Sequence, residues 1–461
     1  MSRKLTDSHT MKNTINSPYT RFFTETIEVG RMSPFAFFEA GFQKYKEERF
    51  YWQNADQTLT LVGIGHAVTL TSDLHEERYK DISNQWNGLC NTLIKEEEDA
   101  APILFGGFSY DPNQVLQSEW NQFPSAYFAV PSFQLKIEDG RSYVSINLVT
   151  DKPEASLEFE WLRQERDRLI HLAQVKEFSF QYDNPIVSME ERGKDRYIEA
   201  VNNVTSLIQS GKADKVVIAR SLVLHFEQEL SAVAALYAIS NEQQESYQFA
   251  LQHNDCLFFG ATPERLIEMK NGKVLSACVA GSIRRGNSAE EDKQLGEALL
   301  ADPKNREEHH YVVEMISKVF RTHCQQVVVP KNPKLMKIRD IQHLYTPVEG
   351  EIASESDIFT LVKALHPTPA LGGVPTSAAM EIIRQEEGMD RGYYAAPIGW
   401  TDSSGNGEFA VALRSALING KEAYLYAGGG IVADSNAEDE YDETWVKFRP
   451  VLRALGGQLN G

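Results

Sequence analysis

The chain has 461 residues, of which 42% are hydrophobic and 24% charged, and carries a formal net charge of −19 at pH 7. This is the composition of a globular protein able to bury a sizeable core, not of a disordered chain. Its acidity excludes nucleic acid or an anionic membrane surface as the main partner, since either requires a basic face. An anionic small ligand is compatible with it, provided a metal ion, a particular Arg or Lys, or backbone amides supply local positive charge. Residues 1–25 read as a polar tail without the apolar core of a signal peptide, and no later run is apolar enough to span a bilayer, so a soluble cytoplasmic protein is expected. Cys90, Cys256, Cys278 and Cys324 are far apart with no CxxC, which points to small buried hydrophobes in a reducing compartment.

Residues 26–187 form a first region in which TLTLVGIGHAVTL and RSYVSINLVT alternate with turn residues and read as strands. EASLEFEWLRQERDRLIHLAQ reads as a solvent-facing helix with Leu157, Trp161, Leu169 and Leu172 on its apolar side. The second region, 188–461, opens with KDRYIEAVNNVTSLIQSG, a helix with Tyr197, Val201, Val204 and Ile208 inward and a stop at Gly211. KVVIARSLVLHF follows as a strand, LFFGATPERLIEMKNG as strand, turn and strand, and REEHHYVVEMISKVFRTHC as a helix. GEFAVALRSALI and KEAYLYAGGG read as strands, and DETWVKFRPVLRAL as the last helix. The elements mix without a βαβ rhythm, so the expected class is α+β, with large, mainly antiparallel sheets flanked by helices.

Several residues in this frame are candidates for chemistry. Lys215 shares a strand face with Val217 and Ala219: it either reaches water at the strand end or is partly desolvated, and desolvation would make it a base near neutral pH. Glu264, in the GATPERL turn, is either solvated or directed into a cleft as a protonated acid. Val312, Met315, Ile316 and Val319 define an inward helix face that carries Glu308 with it and leaves Glu307 about 100° away. Glu440 and Glu443 lie one turn apart beside the stripe Tyr441, Trp445, Phe448, Leu452 and Leu455; they suit either the helix dipole or one divalent ion. His309 and His310 are adjacent and so cannot both face one zinc ion. Arg414 lies in an alternating strand, on the face opposite Leu413, where it either meets solvent or holds a carboxylate. Gly428, Gly429 and Gly430 read as a tight turn or an anion-binding loop leaving a strand. No P-loop lysine follows them, which weighs against a non-catalytic nucleotide- or metal-binding module.

Taken in order, KVVIAR, GATPERL, CVAGSIRRG, the EEH helix, QHLYT, LHPTPALGG, RGYYAAPIGW, FAVALRSAL, YAGGGIV and DETWVKF resemble the chorismate-utilising enzymes, and among them the isochorismate synthases. The similarity runs from about residue 190 to 455. It implies a single α+β fold in which the boundary near 187 is only a sequence convenience. It implies Lys215 as the base that activates water for attack on C2 of chorismate, and Glu264 as the acid that protonates the departing C4 hydroxyl. It implies Mg²⁺ held by Glu308 and Glu443 with Glu440 as an outer carboxylate. Asn305 stands where relatives often have an acid. Arg414 and Tyr394 match residues that hold the enolpyruvyl carboxylate, while Gly281, Ser282, the amides of Gly428–Gly430, and His343 match the walls of the same pocket.

Anthranilate synthases resemble one another in a PAG-type sequence where this chain has HPTPALGG, and in glutamine at the position of Lys215. Aminodeoxychorismate synthases have a nucleophilic lysine where this chain has Ala280. The resemblance therefore implies water addition, with no glutamine amidotransferase partner, by a monomer or homodimer. Salicylate synthases, which go on to eliminate pyruvate, are the nearest alternative. The N-terminal region of roughly 190 residues is more similar to the menaquinone-pathway enzymes than to the shorter siderophore-pathway ones.

Overall fold

The strands Leu59–Ser72 and Ala126–Glu138 pair along nearly their whole length, and the rest of the sheet grows from them in a computed structural model that describes residues 20–95, 101–114, 119–152, 155–175, 184–339 and 341–457. Ala126–Glu138 then serves two neighbours, Ile103–Phe108 along its first residues and Arg141–Thr150 along its later ones. From Ile103–Phe108 an antiparallel arm continues through Pro397–Asp402, Gly407–Val411, Arg265–Lys270, Lys273–Arg284 and Ile341–Ile352. From Leu59–Ser72 a second arm runs through Arg49–Gln53, Tyr247–His253, Cys256–Thr262, Ser415–Asn419, Glu422–Ile431 and Lys215–Phe226. The pairing of Arg49–Gln53 with Tyr247–His253 joins the regions before and after residue 187 edge to edge. Among the described strand pairs, Arg21–Val29 with Leu93–Lys95 is parallel and the rest are antiparallel. The mainly antiparallel α+β class is thus the one observed.

Aromatic side chains fill the space between the arms: the rings of Phe50 and Phe105 stack at 4.5 Å, and Phe128 and Phe359 meet edge to face at 5.6 Å. Three helices place the residues of interest. Lys194–Gln209 buries Tyr197, Val201, Val204 and Ile208 as the pattern predicts, with Gly211 in the left-handed region just beyond its end. Pro303–His323 is started by Asp302, whose side chain accepts from the Asn305 amide, and by Pro303 at its first position. Ala437–Ala454 starts at Asn436, which accepts from the amides of Glu438 and Asp439.

Four local expectations are corrected. Of the tail 1–25, residues 1–19 lie outside the described residues, but 21–25 already belong to a strand, because Phe22 is fully buried opposite Val149. Helix Ala155–Val175 buries Leu162, Leu169 and Ala173, whereas Leu157 is 71% and Trp161 43% exposed. Ion pairs set that rotation: Arg166 reaches Glu25, and Lys44 reaches Glu165. GEFAVALRSALI is two strands, broken over Ala412–Arg414 where the chain leaves one arm for the other. Finally, Gly428, Gly429 and Gly430 lie inside the strand Glu422–Ile431, in register with Ala219, Ile218 and Val217, as the strand reading of KEAYLYAGGG expects and not in the turn or loop that the glycines alone suggest.

Candidate active site

The glycines are needed for room, not for turning. A Cβ on Gly430 would lie 2.6 Å from Cε of Lys215, and one on Gly429 would lie 2.9 Å from Oε2 of Glu440. The side chains of Lys215 and Glu440 thus pass over bare backbone. Lys215, at the start of its strand, donates from Nζ to Oε1 of Glu308, on the inward face of helix Pro303–His323, so the predicted orientation of Glu308 is observed; Glu307 is exposed. His309 turns inward to bond Thr346 Oγ1 at 2.8 Å while His310 is exposed, so the pair diverges as expected.

Glu264 follows the strand Cys256–Thr262 and is held by a bond from the Val411 amide to its carbonyl. Its side chain is buried, and burial pushes its carboxyl up to about 7, against the opposing charges of Lys215 and Arg414. A carboxyl that keeps its proton near neutrality is what a general acid needs, and the charges of Lys215 and Arg414 both reach it.

Arg414 has φ of 49°, and Ala395 has φ of 60°. For residues with a Cβ this left-handed region costs about 1–2 kcal/mol each, and such strain gathers where function fixes a direction. The break at Arg414 ends the period-two alternation, so its side chain does not follow the strand face that the sequence implied. Arg414 and Ala395 line one cavity of about 100 Å³ together with Tyr394, Tyr426, Gly428 and Lys447. The rings of Tyr394 and Tyr426 stack at 5.3 Å, and Tyr426 donates its hydroxyl to Glu119 at 2.6 Å.

A bulge sets the position of His343, which feels the charges of Arg414 and Lys447 but is not among the residues lining that cavity. In the pairing of Lys273–Arg284 with Ile341–Ile352, Ala280 faces Leu344 and Ser282 faces His343, so Gly281 is the extra residue, with φ of 76°. Ser282 Oγ and His343 Nδ1 lie 2.8 Å apart, and burial, with the charges of Arg414 and Lys447, lowers the imidazole to about 4 and keeps it neutral. Asn305 packs against Gly281, and its Oδ1 accepts from the Ser282 amide at 3.3 Å. At this position the asparagine holds the bulge.

Glu443 accepts from Nζ of Lys447 at 2.6 Å, and Lys447 also donates to the Gly428 carbonyl at 2.7 Å. Lys447 is the first cause holding the Glu443 carboxyl below its ordinary range. Glu440 accepts from Ser435 Oγ at 2.7 Å; burial, and next the charge of Glu443, raise it. Lys215, Glu264, Glu308, Arg414, Lys447, Glu443 and Glu440 are thereby linked through direct bonds or mutual electrostatic effect.

The profile described as chorismate binding enzyme matches residues 9–456. The chain belongs to the chorismate-binding enzyme family. It is 41% identical over 440 residues to isochorismate synthase MenF of Bacillus subtilis, covering 94% of this chain and 93% of that one. It is 34% identical to the salicylate biosynthesis isochorismate synthase of Pseudomonas aeruginosa, over 88% and 85% of the two chains. In fold it resembles MenF, the menaquinone-specific isochorismate synthase of Escherichia coli, with a TM-score of 0.80, 24% identity and coverage of 96% and 97%. Among the described residues no helix is long and apolar enough to cross a membrane.

Glu308 and Glu443 are the carboxylates that could hold a divalent cation here. Among the described residues no three His, Cys, Asp or Glu side chains gather closely enough to ligate a metal. Yet one positive charge, on Lys215, bonds Glu308 and also lowers Glu443, so two carboxylates from two helices act on one cation. Hard oxygen donors of this kind suit Mg²⁺, which keeps several of its own waters and needs few protein ligands.

Sequence reasoning missed Lys447 and Arg391. Lys447 stands four residues after Glu443, an i,i+4 helical pair that could have been read. Arg391 is buried, paired with Glu387, and donates to the carbonyls of Leu371 and Val217. It completes the open edge of the strand Lys215–Phe226, a role with no signature in local sequence.

Proposed function

We propose that this chain isomerises chorismate to isochorismate, adding water at C2 with loss of the C4 hydroxyl, and that it serves menaquinone synthesis. The observation that carries the reading is the buried Glu264 carboxyl, protonated up to about pH 7, within electrostatic reach of Lys215. Lys215, once it has released the proton it shares with Glu308 and stands as the neutral amine, takes a proton from the attacking water, and Glu264 gives one to the departing hydroxyl. One water enters and one leaves, so the product is an isomer, and no oxidant or second substrate is required.

Arg414 and Tyr394 hold the enolpyruvyl carboxylate; Gly281, Ser282, His343 and the backbone of Gly428–Gly430 shape the walls. Mg²⁺, when held by Glu308 and Glu443 with Glu440 behind them, supplies charge that neutralises the ring carboxylate. The identity to relatives named as isochorismate synthases supports the same substrate and reaction here. We propose further that the enzyme works in the cytoplasm, as a monomer or homodimer, without a glutamine amidotransferase subunit.

Incubation with chorismate and Mg²⁺, followed by chromatography, tests the reading. Isochorismate as sole product supports it. Salicylate with pyruvate would instead make the chain a salicylate synthase, and an aminated product on adding ammonia would refute water addition.

A further inference from the structure

Both carboxylates assigned to the metal already hold an ammonium: Glu308 that of Lys215, and Glu443 that of Lys447. The second pair is unequal. The Glu443 side chain is 55% exposed, whereas that of Lys447 is 24% exposed and has a second acceptor in the Gly428 carbonyl. The carboxylate is therefore the partner that an ion from solvent can reach, and the ammonium is the partner anchored to the protein. Lys447 and Gly428 both line the cavity that contains Arg414 and Tyr394. The charge of Lys447 also reaches His343, where it helps to keep the imidazole neutral. An ordinary surface pair on a helix would have neither the partly buried carbonyl anchor nor this place on a cavity.

We propose that Lys447 is an internal counter-cation of the metal site: it neutralises Glu443 until a divalent cation takes that carboxylate, and then remains on the Gly428 carbonyl as a free positive charge facing an anionic ligand in the cavity. The proposal rests on the chorismate reading for the identity of that ligand. A divalent cation and an ammonium compete for the same oxygens of Glu443, so each weakens the hold of the other. Before the metal arrives, Lys447 prevents an uncompensated carboxylate at the cavity edge. Once the metal is in place, the lysine has lost its carboxylate partner while the ligand brings carboxylates of its own. Metal and anion are thus accepted in a favoured order, and a single side chain links the two events.

The consequence is a pair of effects with opposite signs in one variant. Lys447→Gln removes the competitor for Glu443, and Mg²⁺ binding to the substrate-free protein, followed by titration calorimetry, is expected to tighten about two- to five-fold, the range for a partly exposed ion pair. The same variant loses a charged donor to the ligand, and KM for chorismate at saturating Mg²⁺ is expected to rise at least ~10-fold. Lys447→Met gives the same two readouts should the glutamine variant not fold. Unchanged or weaker Mg²⁺ binding in the variant would overturn the proposal. Absence of Mg²⁺ binding in both proteins would overturn it together with the metal assignment. Tighter Mg²⁺ binding with no turnover of chorismate by the parent protein would support the counter-cation and refute only the proposed reaction.

Discussion

Replacing Glu264 by glutamine separates the stability cost of the proposed acid from its use. In the folded chain its carboxyl ionises near pH 7, against an ordinary value of 4.5. Between those values the unfolded chain has lost this proton and the folded chain has kept it, so the folded state binds more protons and its stability falls as pH rises. The rise in midpoint amounts to roughly 3 kcal/mol, at about 1.4 kcal/mol per pH unit, all of it expressed above pH 7. Glutamine keeps the shape and cannot ionise. Urea unfolding at about pH 5 and about pH 8.5 should therefore show the stability difference between Glu264→Gln and the parent shifting by roughly 3 kcal/mol in favour of the variant at the higher pH. Glu408, also raised to about 7 by burial, is present in both proteins and cancels. Turnover of chorismate by the variant should fall by ~10²–10⁴-fold. A difference that does not change with pH would refute the argument that Glu264 is buried in its protonated form.

Gly430→Ala puts a methyl 2.6 Å from Cε of Lys215 and should displace that side chain, lowering kcat about 100-fold while calorimetric Mg²⁺ binding persists; unaltered kcat would mean that the position of Nζ is not critical. Lys215→Ala should lower turnover by ~10²–10⁴-fold but leave chorismate binding in the presence of Mg²⁺ detectable, and substantial residual turnover would remove Lys215 from the base role. Glu443→Gln should raise the Mg²⁺ concentration for half-maximal activity ~10-fold or more; an unchanged requirement would place the ligand elsewhere.

Helical faces were legible wherever apolar spacing alone decides them. The stripes through Tyr197 and Tyr441, and the inward turn of Glu308, follow from a period of 3.6 and needed no tertiary knowledge. The helix after residue 155 shows the limit: charged partners on neighbouring elements, Glu25 and Lys44, draw the Glu165 and Arg166 side inward and leave Trp161 outside. Arg414 was found as a candidate but with the wrong geometry, because a non-glycine residue in the left-handed region has no sequence mark when the constraint is a strand changing partners. The glycine run was misread for a similar reason. Its need for glycine comes from Lys215 and Glu440, more than two hundred residues upstream and ten downstream, crossing the strand surface. Glu264 is the clearest case of what only a fold supplies: a turn glutamate in sequence becomes a buried acid when two strands and the charge of Lys215 enclose it.

In the proposed reaction, water from solvent becomes the C2 hydroxyl of the product. Turnover of chorismate in H₂¹⁸O with Mg²⁺, followed by mass spectrometry of the isolated isochorismate, tests it without reference to any single residue. Water addition requires one ¹⁸O atom in the product, located at C2. Isochorismate formed without label would mean that the original hydroxyl migrates within the molecule, and would contradict the roles given to Lys215 and Glu264.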